Sequence, residues 1–175
     1  MAGRRREAPC FICIDANVLI DAHRDYYPIA RVPEFWEWLG HKGNEGHVKI
    51  PLEMYEEVKR GIGDLAKWAK ELEVERNLLL NEDADPAVVS RVTNDGYAPD
   101  LTDVEVEKMG RDPFLIAYAL SDLGKRCVVT TEASKPTRQR ANRHIPDVCR
   151  DLGIPCCNTF ELVRALDFRT AWNAT

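Results

Sequence analysis

Long apolar runs are missing from this chain. Its hydrophobic stretches last only a few positions, against the ~20 needed to span a bilayer, so a membrane-spanning role is not expected. An excess of positive charge is missing too. The 24 Lys and Arg stand against 29 Asp and Glu, a net charge of −5, so no global field draws the chain to nucleic acid. Any such substrate would need a local basic patch, a metal site, or both. There is no G-x-G-x-x-G after the first apolar segment and no P-loop, which disfavours dinucleotide and nucleoside-triphosphate binding. The 4 histidines, His23, His41, His47 and His144, show no metal-ligand spacing. A secretory leader would need a longer apolar region than the FICI that follows MAGRRREAPC, so a cytoplasmic location is expected.

The 6 cysteines are read as structural thiols. Cys10 and Cys13 form a C-x-x-C, but a strand's period of two sends them to opposite faces. Cys127, Cys149, Cys156 and Cys157 fall in other apolar segments, where cysteine acts as a small buried hydrophobe. Trp36, Trp38, Trp68 and Trp172 are read as packing residues rather than base-stacking platforms.

What is present suits a soluble globular protein: 175 residues, 45% hydrophobic and 30% charged. One domain is expected over residues 9–168, with loose tails at 1–8 and 169–175. Short apolar runs alternate with helical periodicity, the pattern of a mainly parallel α/β sheet. CFICIDA, HVKIP, RCVVTT and IPCCN read as strands. ARVPEFWEWLGHKG reads as a helix, and LEMYEEVKRGIGDLAKWAKELEVERNLLL as two helices parted around Gly61–Gly63. In DPFLIAYALSDLG, Asp112 is expected as N-cap, Pro113 as first helical residue and Gly124 as the stop. Asn158 and Glu161 have capping-box spacing at the start of the last helix.

Four acids fall where an open α/β sheet places a site, beyond the carboxyl ends of its strands. Asp15 follows FICI, and Glu132 follows VVTT by one residue. Asp112 opens a helix, and crossover helices start from the edge where strands end. Glu57 is preferred over Glu53 and Glu56 because it flanks the stripe Met54, Val58, Ile62, while the other two point further towards solvent. Each acid has a plainer reading as well: Asp112 or Asp15 as a cap, Glu57 on a solvated face, Glu132 at the start of a loop. If the four converge, protons or a divalent cation must relieve their repulsion.

IDANVLIDA resembles the opening motif of PIN domains, with Asn17 in the small polar position two residues after the aspartate. EEVKRG resembles the family's second motif, at Glu57. RDPFLIAYAL resembles the third, an aspartate opening an alanine-bearing helix, and VVTTE the fourth, with Thr130 two residues before the acid. The resemblance spans residues 9 to 168 in order. VVTTEASKP, IPDVC and LGIPC are similar to an uncharacterised bacterial PIN branch related to the VapC-type toxins, whose fourth acid is usually aspartate rather than glutamate.

The resemblance implies a three-layer α/β/α sandwich and a Mg²⁺- or Mn²⁺-dependent ribonuclease, the toxin half of a toxin–antitoxin pair. It implies Asp15, Glu57, Asp112 and Glu132 as catalytic and metal-holding acids, with Asn17 and Thr130 orienting them. Carboxylate oxygens are hard donors suited to these ions. Lys135, Arg138, Arg140 and Arg143, with His144, are candidate phosphate contacts beside the rim. RNA, an antitoxin and a second copy of the chain are the expected partners. Two competing readings remain open. One is a catalytically weak PIN domain that binds RNA or a partner. The other is a phosphohydrolase or receiver-like protein phosphorylated on Asp15, which lacks a second aspartate because Asn17 stands two residues on.

Overall fold

The computed structural model describes residues 11–174; the basic segment 1–8 and Cys10 lie outside the described residues. Four short strands, β1 (Phe11–Ile14), β2 (Val48–Lys49), β3 (Arg126–Val129) and β4 (Cys156–Cys157), form one parallel sheet in the order β2-β1-β3-β4. Strands this apolar suit a sheet covered on both faces. Ile12, Cys13 and Ile14 are buried, as are Cys127, Val128 and Val129 opposite them in register. The architecture is the three-layer α/β/α arrangement.

The helices in chain order are α1 (Ala16–Asp21), α2 (Pro33–Asn44), α3 (Leu52–Arg60), α4 (Asp64–Ala69) and α5 (Leu72–Leu78). After them come α6 (Pro86–Arg91), α7 (Asp103–Met109), α8 (Asp112–Leu120), α9 (Ile145–Asp151) and α10 (Thr159–Ala165). Short π turns extend α1 over Ala22–Tyr26 and α6 over Val92–Tyr97. Pro33 and Pro86 stand in the first turns of their helices, where a missing N–H costs nothing. Capping boxes close the starts of α7 (Thr102 and Glu105) and α10 (Asn158 and Glu161), the second as expected.

Three local expectations need correction. The stretch 52–80 holds three helices rather than two, because the chain breaks again at Lys70–Glu71, where Glu71 is extended. Ile62 is 97% exposed: α3 ends at Arg60, so the helical spacing that would have buried it stops two residues short. Helix α8 ends at Leu120, and Gly124, at φ +88°, serves the turn into β3 instead.

The core holds Phe35, Trp38, Leu39, Leu115 and Ile116, all essentially sealed. Trp36 and Trp68 are also buried and meet edge to face with centroids 4.7 Å apart, which supports the packing reading of these tryptophans. Trp172 is half-buried against His41, at 4.9 Å between ring centroids. Cys149 is buried, and its thiol is hydrogen-bonded with Cys156. Among the described residues, no helix is long and apolar enough to cross a membrane.

Candidate active site at the sheet switch point

β1 has β2 on one side and β3 on the other, so the strand order reverses direction between β1 and β3. In open parallel sheets that reversal opens a crevice beyond the carboxyl ends of the two strands. Asp15 and Glu132 come from these two ends. The Asp15 N–H donates to the Val129 carbonyl at 3.0 Å, so the ladder runs to the acid itself.

Asp15 is 5% exposed. It stands just before α1 with extended backbone; no side-chain capping bond of ordinary geometry forms, although the Asn17 N–H in the first turn lies close enough to favour its charged form. The Asp15 carboxylate accepts from the Thr130 hydroxyl at 2.9 Å, a bond from the end of β3 to the end of β1. Thr130 Oγ1 also accepts from the Glu132 N–H at 3.2 Å. One threonine hydroxyl therefore joins the Asp15 carboxylate to the Glu132 backbone. Burial raises the Asp15 pKa to about 6; Thr130 and the Asn17 N–H oppose the rise, and the charges of Glu132 and Glu57 add to it. Asn17 itself has an exposed side chain.

Asp112 does not cap α8. The helix begins one residue earlier than expected, with Arg111 in the capping position and its carbonyl accepting from Phe114 at 3.0 Å. The Asp112 carboxylate, in the first turn, is thus not spent on capping. Its pKa is raised to about 7, by burial first, then by Glu132, Asp15 and Glu57 in that order. Every one of these influences raises it. A carboxyl in such surroundings is short of compensating charge.

Glu132 is partly exposed, and its Oε2 accepts the Ile145 N–H at the start of α9, at 2.7 Å. A glutamate spans that distance to the next helix, and His144 Nδ1 lies 4.0 Å from the same oxygen. Glu57 is exposed at the outer margin, yet its charge reaches both Asp15 and Asp112. Glu56 pairs with Lys59 at 3.6 Å. Glu53 and Glu56 differ from expectation: both are less exposed than Glu57, and Glu53 Oε2 is sealed from solvent, with the Tyr118 side chain among its neighbours.

The four acids therefore act on one another electrostatically across one rim. Oxygen-only donors of this kind suit Mg²⁺ or Mn²⁺, and the missing positive charge is what such an ion would supply. Among the described residues, no three His, Cys, Asp or Glu side chains already converge as an ion cage.

The basic loop after Glu132 divides in two. Arg140 pairs with Asp100 and Glu105, each at 2.7 Å, and Arg143 is bound to Asp151 and to the Gly96 carbonyl. Two of the three arginines expected to meet phosphate are thus engaged within the chain. Lys135 and Arg138 are exposed, and among the described residues their side-chain cations have no acidic partner. The residue missed in sequence is Asp147, 1% exposed on α9, which accepts from the Ser134 hydroxyl at 2.5 Å and from the Lys135 N–H at 2.7 Å. It anchors the loop that carries Glu132. An aspartate in the first turn of an otherwise apolar helix, IPDVC, was the available signal.

Fold and site together define the chain as a parallel α/β protein with an acidic rim at its switch point. The profile of a family described as a domain of unknown function, DUF4411, matches residues 12–170, and the chain belongs to that family. No curated protein and no solved structure matches the chain.

Proposed function

We propose that this protein is a PIN-type endoribonuclease that uses Mg²⁺ or Mn²⁺ to hydrolyse RNA phosphodiester bonds. One observation carries the reading: Asp15 is buried and Asp112 partly so, burial first and then the other rim acids raise the pKa of both, and no cation is among the groups acting on them. A divalent ion bound there supplies the positive charge that offsets a scissile phosphate and makes water a better nucleophile at neutral pH. Asp15 and Asp112 hold the ion, with Glu57 and Glu132 completing the set from the exposed side. Thr130 keeps the Asp15 carboxylate aimed by its hydrogen bond. Lys135 and Arg138 are free to meet the RNA backbone beside Glu132. Arg140 and Arg143 contribute by holding the loop, since their guanidinium groups are already paired. The proposal extends to a cytoplasmic toxin restrained by an antitoxin protein, and to a homodimer.

The test is RNA cleavage in Mn²⁺ and in Mg²⁺ by the wild type, Asp15→Asn and Asp112→Asn. Cleavage by the wild type alone supports the assignment. Equal cleavage by all three would mean a contaminant or another site. Calorimetry with Mn²⁺ separates the weak binding-module reading, which requires RNA binding without ion binding.

A further inference from the structure

Arg111 stands at the capping position of α8, one residue before Asp112. Among the described residues it is the only partly buried arginine without an acid partner, since Arg126, Arg140 and Arg143 all close on carboxylates. Its Nη1 donates to the backbone carbonyl of Glu53 on α3. A guanidinium bonds most strongly to a carboxylate, so one held on a neutral carbonyl has been placed there by the fold and not by charge.

The identity of that carbonyl matters. Helix α3 runs unbroken from Leu52 to Arg60, and within an α-helix the Glu53 carbonyl also accepts the Glu57 N–H. The bond from Arg111 therefore grips the turn that carries Glu57. The Glu57 carboxylate is exposed, with no ion pair and no hydrogen bond among the described residues, so the backbone of its turn sets where it stands. Met54, Tyr55 and Val58 bury the inner face of α3, but apolar burial is non-directional and a poor guide to how far a helix has turned. A directed hydrogen bond to a fixed point on α8 supplies that guide.

We propose that Arg111 is a positioning residue of the rim, its guanidinium joining the start of α8 to the turn of α3 so that Asp112 and Glu57 serve the same ion. It acts through the α3 backbone, in the way that outer hydrogen bonds orient metal-holding carboxylates, and touches neither ion nor RNA. The inference rests on the ion-binding reading of the rim given above.

The test is calorimetry with MnCl₂ on the full chain as wild type, Arg111→Met, Arg111→Lys, Glu57→Gln, Asp112→Asn and the double variant Arg111→Met with Glu57→Gln. Methionine keeps an unbranched stem and removes the donor. Lysine keeps a donor, and Lys49 already holds the Asn77 carbonyl of this chain at 2.6 Å. Arg111→Met should bind Mn²⁺ about 10-fold more weakly, and Arg111→Lys should recover most of that loss. In the Glu57→Gln background the methionine change should cost almost nothing, because a role exercised through Glu57 has nothing left to position. If Glu57→Gln binds no ion at all, the methionine and lysine variants decide alone. An equal loss in both backgrounds would overturn the inference, since Arg111 would then act by its own charge or through packing. So would unchanged affinity in Arg111→Met or Glu57→Gln, a lysine variant as weak as the methionine one, or an Arg111→Met chain that does not fold. In each of those cases wild-type binding that Asp112→Asn abolishes leaves the ion site standing. A wild type that takes up no Mn²⁺ would remove the ion site and this inference together.

Discussion

Two acidic regions lie close together in this chain and meet opposite fates. On the outer side of the loop after Glu132, Asp100 and Glu105 close on Arg140, and Asp151 closes on Arg143. There the Arg140 guanidinium holds Glu105 well below its usual range, at about 2. On the rim, Asp112 is pushed up to about 7 and Asp15 to about 6. The difference is not a shortage of arginine. Four arginines stand within a dozen residues of Glu132, and the fold turns three of them, Arg126, Arg140 and Arg143, towards other acids. Paired acids at the surface contribute little to stability and are ordinary. A set of acids with buried members and no cation beside them costs free energy, and such sets concentrate where function requires them.

Removing a rim acid should break this contrast most sharply. Asp15→Asn or Asp112→Asn is expected to lower Mn²⁺-supported RNA cleavage by ~10³-fold, the scale of losing one preorganised electrostatic contact. The same changes should stabilise the ion-free protein at pH 8 by roughly 1–3 kcal/mol, because a buried charge is removed. Urea melts without ion would show it. A destabilised Asp112→Asn would mean that the carboxylate is compensated after all.

The pH dependence follows from the same two acids. Both hold a proton more tightly in the folded state than in the unfolded one, with folded pKa values of about 6 and about 7. Their contribution is therefore fully present below the ordinary carboxylate range and is lost as pH rises through those values. Ion-free melting temperature should fall between pH ~4 and pH ~7, and Asp112→Asn should flatten the fall. Glu105 has the opposite sign: its contribution is present above its ordinary pKa and lost as pH drops towards about 2.

Thr130→Val keeps the shape and deletes the hydroxyl that joins Asp15 to the Glu132 N–H. It should cost about 1–3 kcal/mol in the same melts and reduce Mn²⁺ affinity, which calorimetry reads. The smallest effect belongs to the surface pairs. Glu105→Gln should leave both cleavage and the melting temperature at pH 7 close to wild type, since its carboxylate is surface-paired and stands outside the rim. A clear loss of cleavage there would erase the distinction between the two regions.

Much of this arrangement was legible in residue patterns. FICI and RCVV announce buried parallel strands by being apolar on both faces, and they lie side by side in the sheet. The capping box at Asn158 follows from spacing alone. Asp15 and Glu132 could be assigned to the carboxyl edge because they follow their strands directly. The misses share a cause. Asp112 was expected as a cap because side-chain chemistry fits that role, but where a helix begins depends on which carbonyl its first amides reach, here that of Arg111. Ile62 was assigned to a stripe that ends before it, and Arg140 and Arg143 were assigned to phosphate with no view of Asp100 or Asp151. Asp147 stood out only as an aspartate in the first turn of the helix IPDVC, a place where a cap is the ordinary reading.

Residue order alone determined the strands, the helix starts marked by proline or capping boxes, and which acids would sit at strand ends. These depend on neighbours a few positions away, through periodicity and local hydrogen bonds. Only the tertiary structure decided which acids keep a cation and which do not, because pairing, burial and repulsion act across distances in space that have no counterpart along the chain. A carboxylate's proton affinity is set by that surrounding, and so is whatever chemistry it performs.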